Sequence, residues 1–335
     1  MHIKIPSLAQ LAFLLILPLL AACEAMSLAP IPTQTPQVVV VTGVPTNTPI
    51  PSPTPPFTRT PVATPTPISS PTPTPYPCTE EGGQMIPFDD FQSAVAGENL
   101  RYRVYIPPCY LETQKRFPYV ILLHGMNSNE LQWDEIGLDE ALDQGIRLGS
   151  LPPMIVVMPY TGRIGNDNTF PPEPSYETVI MDELLPAIER DFCTWNDRDH
   201  RALGGISRGG FWAYSVGLRY PDVFGILGGH SATFDRDHAP PEFNPLDLAL
   251  NAAFLDDTSM RMYLDNGASD PAGTNLQLFS SRLSSRGIAH TYVINPVGGH
   301  DEDYWTQHVE EYLSFYGRDW TRNMNELPSC LEPSP

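Results

Sequence analysis

Residues 201–210 read RALGGISRGG, and within them residues 205–209 fit the pattern G-x-S-x-G around Ser207. An apolar stretch predicted as a strand, residues 201–206, runs directly into this pattern, and a helix-compatible stretch, residues 210–219, follows it. A serine on such a strand-to-helix turn is exposed as a nucleophile, and small residues two positions away let the backbone pass close. The pattern alone is more typical of a glycine-rich turn, so its setting makes Ser207 the candidate nucleophile.

Strand-like and helix-like segments alternate over residues 78–335, which suffice for one domain with a sizeable core. The predicted strands are residues 100–106, 119–123, 154–158, 202–206, 224–228, 261–265 and 291–295, and the predicted helices are 138–148, 176–192, 211–219, 274–286 and 303–316. Apolar strands separated by helices indicate an α/β fold with a mostly parallel, doubly wound sheet covered by helices on both faces. Such sheets bind ligands at the carboxyl ends of their strands.

A nucleophilic serine needs a base, and His300 is the candidate that fits best. It follows the predicted strand 291–295 through the loop PVGG, just before the last predicted helix. It is therefore expected at the carboxyl end of the sheet. His290 begins the same strand at the opposite edge, and His308 lies inside the helix. A loop histidine alone would carry little weight, but His300 follows the serine and the acid along the chain and also lies at the carboxyl end of a strand.

The base in turn needs an acid that orients it, and the predicted strand 261–265 offers two aspartates. Asp270 lies in the loop that follows this strand, where its side chain can reach a histidine. Asp265 is the rival, although a residue at that position is more typical of a strand end or turn. The placement favours Asp270 as the acid.

Backbone N–H groups that stabilise an oxyanion are expected at two places. One is Arg208, directly after the nucleophile, and the other is the loop that begins at residues 124–126, after the predicted strand 119–123. Gly125 permits close approach of the backbone, and either Met126 or Gly125 supplies the N–H group. The alternative interpretation of this glycine is a plain turn that ends the strand.

Residues 1–22 have the composition of an export signal. Lys4 precedes an apolar run, residues 8–20, which is short for a bilayer span of about 20 residues. The stretch LAAC at residues 20–23 fits either ordinary cleavage near Ala22 or lipoprotein processing, in which Cys23 is acylated. The long polar segment after Cys23 favours the lipoprotein. The expected location is the extracellular side of a bacterial cell membrane, with a lipid anchor.

Residues 23–77, from the lipidated cysteine onward, are predicted to be a disordered tether. Residues 24–77 contain sixteen prolines and twelve threonines, so they cannot bury enough apolar surface to fold. Proline favours extended polyproline II, which would reach about 170 Å at about 3.1 Å per residue. Residues 38–41 form one apolar patch of four valines, which we interpret as a local irregularity.

Export predicts an oxidising compartment, in which the four remaining cysteines form disulfides. They are Cys78, Cys109, Cys193 and Cys330, and they allow three pairings. We favour Cys78–Cys109, which would clip the start of the domain to its first strand. We also favour Cys193–Cys330, which would clip the C-terminal tail. The cysteines lack metal-ligand spacing such as C-x-x-C, so no metal site is expected.

The formal net charge is −20. Residues 1–77 carry only Lys4, Glu24 and Arg59, so the acidity belongs to the folded part. A domain of this charge is unsuited to nucleic acid or to an anionic lipid surface. No nucleic-acid partner is expected.

Motifs in the right order over residues 84–317 resemble the esterase family that includes esterase D, feruloyl and acetylxylan esterases, mycolyltransferases and enterochelin esterases. The matching stretches are residues 105–110, 117–125 with Trp133 beyond them, 182–189, 204–210, 266–270 and 298–300. The resemblance implies an α/β-hydrolase fold and a Ser207, Asp270 and His300 triad that acts without a metal or an organic cofactor. Two residues depart from the family. Arg208 stands where a methionine is frequent, and Cys109 replaces the usual glycine.

The resemblance implies a serine esterase that forms an acyl-enzyme. Because the chain is expected to be anchored outside the cell on a long tether, an acyl group on a polysaccharide is our first expectation for its substrate. Membership of the same family leaves an acyltransferase or a siderophore-ester hydrolase as alternatives, and a non-catalytic surface-binding lipoprotein is the alternative from another class. Aromatic residues near the loops are candidates for the substrate pocket, although aromatic residues at such spacing are more often core. They are Trp133, Tyr160, Phe170, Trp212, His230 and Trp305.

Overall fold

The structure, a computed structural model, describes residues 37–41, 77–257 and 259–332. The predicted signal, residues 1–22, the lipidation of Cys23 and most of the predicted tether lie outside the described residues. Within them, no helix combines the length and the apolar character that crossing a membrane requires.

The order of the elements follows the predicted alternation of strands and helices. The strands are β1 (Gln37–Val41), β2 (Gln84–Phe88), β3 (Gln92–Ser93), β4 (Glu98–Asn99), β5 (Tyr102–Ile106), β6 (Tyr119–Leu123), β7 (Ile155–Pro159), β8 (Arg201–Ile206), β9 (Ile226–His230), β10 (Arg261–Gly267) and β11 (His290–Asn295). The helices are α1 (Tyr110–Thr113), α2 (Gln132–Glu135), α3 (Leu138–Leu148), α4 (Tyr176–Thr178), α5 (Leu185–Asp191), α6 (Arg208–Arg219), α7 (Pro245–Asn251), α8 (Gly273–Ser285) and α9 (Glu302–Gly317). A π-helical segment, Val179–Leu184, joins α4 to α5.

Nine of the strands form one sheet in the order β1-β11-β10-β9-β8-β6-β7-β5-β2. The six strands from β11 to β7 are parallel to one another. The outer strands β1, β5 and β2 are antiparallel to their neighbours. The predicted α/β fold with a mostly parallel sheet is therefore confirmed.

The sheet has a hydrophobic core on each face. Ile121 and Leu123 of β6 belong to one core cluster, while Val120 and Leu122 belong to the other. Because successive side chains of a strand point to opposite faces, these two clusters are the two layers of a doubly wound domain. Helices α3 and α9 cover one face, and α6 and α8 cover the other.

Strand β9 begins two residues later than the predicted strand 224–228. The N–H groups of Val223 and Phe224 donate to the carbonyl of Tyr220 and close a turn there, so the strand starts only at Ile226. This shift places His230 at the carboxyl end of β9, beside the nucleophile strand β8.

The prediction that residues 23–77 are a tether without structure is wrong for Gln37–Val41. These residues form β1, which pairs antiparallel with the edge strand β11. Four consecutive β-branched residues without proline favour a strand, and the edge of a sheet offers unpaired backbone groups to receive it. Gln37 pairs with Ile294 and Val41 pairs with His290. The chain therefore enters β1 at the carboxyl end of the parallel sheet.

Both favoured disulfides are present. Cys78–Cys109 joins the segment before β2 to the turn after β5, with the Cα atoms 5.2 Å apart. Cys193–Cys330 joins the segment before β8 to the C-terminal tail, with the Cα atoms 5.6 Å apart. By loop-closure entropy the shorter loop would contribute about 4 kcal/mol and the longer about 5 kcal/mol to stability.

Candidate active site

Ser207 stands at the turn between β8 and α6 in a backbone conformation that non-glycine residues rarely adopt. Its φ is 54° and its ψ is −116°. The flanking glycines make this turn possible. A Cβ atom on Gly209 would lie 2.4 Å from the carbonyl oxygen of Leu123, and one on Gly205 would lie 2.4 Å from the Gly209 backbone. Strain of this kind persists only where the surrounding structure enforces it, and it is common at active sites.

The structure brings the three predicted residues Ser207, His300 and Asp270 into one hydrogen-bonded chain. The Oγ of Ser207 lies 2.8 Å from the Nε2 of His300, and the Nδ1 of His300 lies 3.0 Å from the Oδ1 of Asp270. The Asp270 side chain is fully buried, whereas that of His300 is 26% exposed. The N–H of Ala272 also donates to Asp270 Oδ1 at 2.8 Å and fixes the carboxylate. The outer end of the chain is therefore open to a substrate, and the inner end is shielded from water.

Asp265, the rival acid, belongs to a different cluster. Its Oδ1 lies 2.8 Å from the Nδ1 of His230, and its Oδ2 accepts from the hydroxyls of Tyr304 and Tyr312 at 2.6 and 3.0 Å. Three donors compensate for the burial of this carboxylate, which is fully shielded from solvent. His300 is therefore paired with Asp270, and His230 is paired with Asp265.

The two predicted oxyanion positions both lie close to the serine, but Gly125 and Met126 are not equivalent. The N–H of Gly125 donates to the Oε1 of Gln132 at 2.8 Å, which leaves Met126 as the donor on this loop. Gly125 still gives close approach, since a Cβ atom there would lie 3.5 Å from the Cβ of Ser207. The N–H of Arg208 opens α6, where no intrahelical acceptor is available to it.

His124 is buried and shapes the end of β6. Its Nδ1–H donates to the carbonyl of Gly125 at 2.6 Å, and its Nε2 accepts from the N–H of Thr161 at 3.0 Å. Burial lowers the pKa of His124, and the N–H donor at Nε2 requires the neutral ring. His124 therefore acts as a fixed neutral connector between the oxyanion loop and the segment after β7.

The Arg208 side chain, which stands where the family frequently has methionine, turns inward. It is 2% exposed and donates to carbonyl oxygens in the segment after β7, those of Gly165 at 3.1 Å and Asp167 at 2.9 Å. Burial lowers the pKa of Arg208 to about 10. The guanidinium therefore supports a neighbouring loop, and its charge is not open to solvent.

Three of the aromatic residues expected in the pocket are core residues, which corrects that expectation. Trp133 and Trp212 are almost completely buried, and their indole N–H groups donate to the carbonyls of Leu123 and Gly165. His230 is buried between Asp265 and its other neighbours. Side chains that pack from both sides and bond internally cannot contact a substrate, and sequence spacing does not distinguish them from pocket residues.

The other three aromatic residues are one further core residue, Phe170, and two that contact histidines, Trp305 and Tyr160. Trp305 meets the ring of His300 edge to face, with the ring centroids 5.4 Å apart, and its indole N–H donates to the Oγ of Ser231. Phe170 is buried against Trp212 and therefore belongs to the core. Tyr160 is half-buried and stacks on the ring of His124. Trp305 is thus the aromatic that touches the serine–histidine–aspartate chain, and it does so as a support for His300.

Tyr304 is a residue near the site that the sequence analysis missed. Its ring lies on the loop that carries His300, since a Cβ atom on Gly298 would lie 2.3 Å from that ring. Its hydroxyl donates to Asp265 and accepts from the side chain of Asn295 at 2.8 Å. The two glycines before His300 could have indicated this contact in the sequence, because glycines in a loop allow a large side chain to pack closely against it.

Two exposed apolar side chains lie on the loops that carry site residues. Met126 on the oxyanion loop is 42% exposed, and Val297 on the His300 loop is 78% exposed. Ser207 itself is 9% exposed. Among the described residues, no group of histidine, cysteine, aspartate or glutamate side chains is arranged to hold a metal ion. The arrangement therefore offers a nucleophile, a base and backbone donors.

Comparisons with known proteins agree with this site. A family model described as "Putative esterase" matches residues 93–325. Over 147 residues the chain is 35% identical to an endo-1,4-beta-xylanase/feruloyl esterase of Xylanibacter ruminicola, which covers 41% of this chain and 20% of that protein. Over 155 residues it is 30% identical to an esterase of Mycobacterium tuberculosis, which covers 44% of this chain and 32% of that protein. The match therefore spans between a fifth and a third of these two curated relatives.

A solved structure of a ferulic acid esterase superposes with a TM-score of 0.64 at 26% identity, over 71% of this chain and 98% of that one. The sheet order and the turn at Ser207 define the class of the molecule as an α/β hydrolase. The chain belongs to the esterase family whose model covers residues 93–325, and it is an enzyme of that class.

Two tyrosines that donate to the same carboxylate oxygen give a matched test of the Asp265 cluster. Tyr304→Phe and Tyr312→Phe each remove one hydrogen bond to Asp265, and each should destabilise the fold by about 1–3 kcal/mol; Tyr304→Phe also removes the hydrogen bond from the side chain of Asn295. Only Tyr304 also contacts the His300 loop, and a displacement of about 1 Å there can cost up to about 100-fold in rate. We therefore expect kcat for p-nitrophenyl acetate to fall in Tyr304→Phe and to stay close to wild type in Tyr312→Phe. Equal kcat values in the two variants would contradict this account.

Proposed function

We propose that this protein is an exported serine esterase that hydrolyses carboxylic esters through an acyl-enzyme on Ser207, with acyl groups carried by polysaccharide as its substrates. The observation that carries the proposal is the hydrogen-bonded chain from Ser207 through His300 to Asp270. Nucleophile, acid and base follow one another along the chain, and in space the base lies between the other two, as acyl transfer by serine requires.

In the first half of the reaction, Ser207 Oγ attacks the ester carbonyl carbon. His300 Nε2 takes the serine proton over the 2.8 Å hydrogen bond as the new C–O bond forms. Asp270 holds the Nδ1–H tautomer of the ring and stabilises the imidazolium that results. The carbonyl oxygen becomes an oxyanion, and the N–H groups of Arg208 and Met126 donate to it.

Collapse of the tetrahedral intermediate breaks the bond to the alcohol, which leaves with the proton from His300. Water then takes the place of the alcohol. His300 removes a proton from this water as it attacks the acyl carbon, and Ser207 regains its proton when the carboxylic acid departs. The reaction consumes one water and releases one alcohol and one acid for each ester.

Two observations favour a polysaccharide-linked, aromatic acyl group. The relative from Xylanibacter ruminicola is named a xylanase and feruloyl esterase, and a ferulic acid esterase of known structure shares this fold at 26% identity. The exposed Met126 and Val297 lie on the oxyanion loop and the His300 loop, and we propose that an apolar acyl group rests against them. We propose feruloyl esters of xylan as the first substrates to examine.

Export and anchoring through Cys23 complete the proposal. The two disulfides suit an oxidising compartment. Residues 24–36 separate Cys23 from β1, and a chain of this length spans at most about 45 Å. A protein held at Cys23 would then carry Gln37, at the carboxyl end of the sheet, within that distance of its lipid.

Release of ferulate from feruloylated xylan and of acetate from acetylated xylan tests the enzymatic proposal. Wild type should release ferulate, and Ser207→Ala should lose activity by about 10⁴-fold or more, because the nucleophile is gone. Ser215→Ala is the matched control, since this buried serine lies on α6 and its Oγ donates to the Phe243 carbonyl. It should retain activity.

The outcomes separate the two parts of the proposal. Equal activity of Ser207→Ala and wild type would overturn the serine mechanism. Turnover of p-nitrophenyl acetate without release of either acid from xylan would overturn the substrate and leave the mechanism standing.

Fractionation of cells that express the full chain tests the anchor. The wild-type protein should remain with the membrane and dissolve in detergent, while Cys23→Ser should appear in the soluble fraction, because an unacylated cysteine cannot hold it. A Ser27→Ala variant serves as the control for a change close to the processing site. Membrane association of Cys23→Ser would count against lipidation.

A further inference from the structure

Residues 161–168, which we call the strap, follow β7 and connect the two sides of the oxyanion site. The strap accepts three hydrogen bonds from the Arg208 guanidinium. The acceptors are the carbonyl of Gly165 at 3.1 Å, the carbonyl of Asp167 at 2.9 Å and the Oδ1 of Asn168 at 2.8 Å. The indole N–H of Trp212, one turn along α6, donates to the same Gly165 carbonyl at 2.6 Å. The strap is therefore fastened to the helix that begins directly after the nucleophile.

The strap is also fastened to the oxyanion loop. The Nδ2 of Asn166 donates to the carbonyl of Met126 at 3.2 Å. The N–H of Thr161 donates to the Nε2 of His124, two residues before Met126. The segment that supplies the second oxyanion donor is thus held by the strap at two points.

The burial of Arg208 is costly and calls for an explanation. All three acceptors of its guanidinium are neutral, and its Nη1 has no hydrogen-bond partner among the described residues. The faces of Phe211 and Trp212 compensate in part, at 4.5 and 5.1 Å from the guanidinium carbon. An apolar side chain would fill this volume without burying a charge.

We propose that Arg208 acts twice in catalysis, with its backbone N–H as one oxyanion donor and its side chain as a positioning group for the other. The side chain fixes the strap, and the strap fixes His124 and Met126, so that the Met126 N–H stays directed at the oxyanion. This inference rests on the proposed esterase mechanism. It adds a role for the Arg208 side chain, which acts on the oxyanion loop through the strap. Arginine suits the role because its planar fork engages several carbonyl oxygens at once.

Arg208→Met is the primary test, since it keeps the backbone N–H and removes only the guanidinium. Loss of an oxyanion donor costs about 10²–10³ in kcat, so a donor that is loosened but present should cost about 10-fold. The loss should fall on kcat and leave KM nearly unchanged, because the oxyanion exists only in the transition state.

Arg219→Met is the matched control. Arg219 lies on the same helix, its guanidinium carbon stands 3.9 Å over the ring of Phe243, and it pairs with Glu177. Among the described residues, Arg219 forms no hydrogen bond or ion pair with the strap. Arg219→Met should lower the midpoint of thermal unfolding and leave kcat near wild type. Equal falls of kcat in Arg208→Met and Arg219→Met would overturn the proposal.

Asn166→Ala removes the hydrogen bond to Met126 and changes an exposed side chain, so it tests the proposal even if Arg208→Met folds poorly. It should also lower kcat. The double variant should be no slower than the slower single variant, because both changes break the same connection. Multiplied effects in the double variant, or a fall confined to KM, would contradict the strap.

Arg208→Lys separates position from charge. Lysine keeps the cation without the fork, so kcat should fall between those of wild type and Arg208→Met. Full recovery of kcat would show that the charge alone acts and would overturn the proposal. These outcomes are distinct from a failure of the esterase mechanism, which would appear as retained activity in Ser207→Ala.

Discussion

The strained backbone at Ser207 is the constraint on which the rest of the site depends. A residue with φ of 54° and ψ of −116° must be held from both sides, and the parallel sheet does this. The N–H of Ser207 donates to the carbonyl of His230 on β9, and the Ser207 carbonyl accepts from Phe211 and Thr233. The adjacent strands β6, β8 and β9 thus determine where the nucleophile, the oxyanion loop and α6 begin.

A buried polar cluster extends this control to the base. Asp265 accepts hydrogen bonds from His230 on β9 and from Tyr304 on α9. The ring of Tyr304 packs against the loop that carries His300. A half-satisfied polar cluster in a core would be worse than an apolar one, so each member fixes the others. The cluster positions the His300 loop, the strap is proposed to position the oxyanion loop, and the turn positions Ser207. The geometry of the site therefore depends on several parts of the fold and not on one loop.

The sequence predicted what local pattern and chain order encode. Ser207, His300 and Asp270 follow from a strand-to-helix glycine pattern, a glycine-rich loop and the rule that ligands meet the carboxyl ends of parallel strands. Trp133, Trp212 and His230 were wrongly expected in a pocket because burial is set by what packs from the other side, which spacing does not reveal. Strand β1 was missed for the same kind of reason, since its partner β11 lies some 250 residues away. The inward turn of Arg208 likewise depends on a distant loop.

Labelling with a fluorophosphonate tests the central claim most directly, since it requires an activated serine and depends on no choice of substrate. Peptide mapping should locate a single adduct on Ser207, and His300→Ala should slow its formation by about 100-fold or more, because the base that activates the hydroxyl is lost. An adduct on another serine, or equal labelling rates with and without His300, would contradict the account.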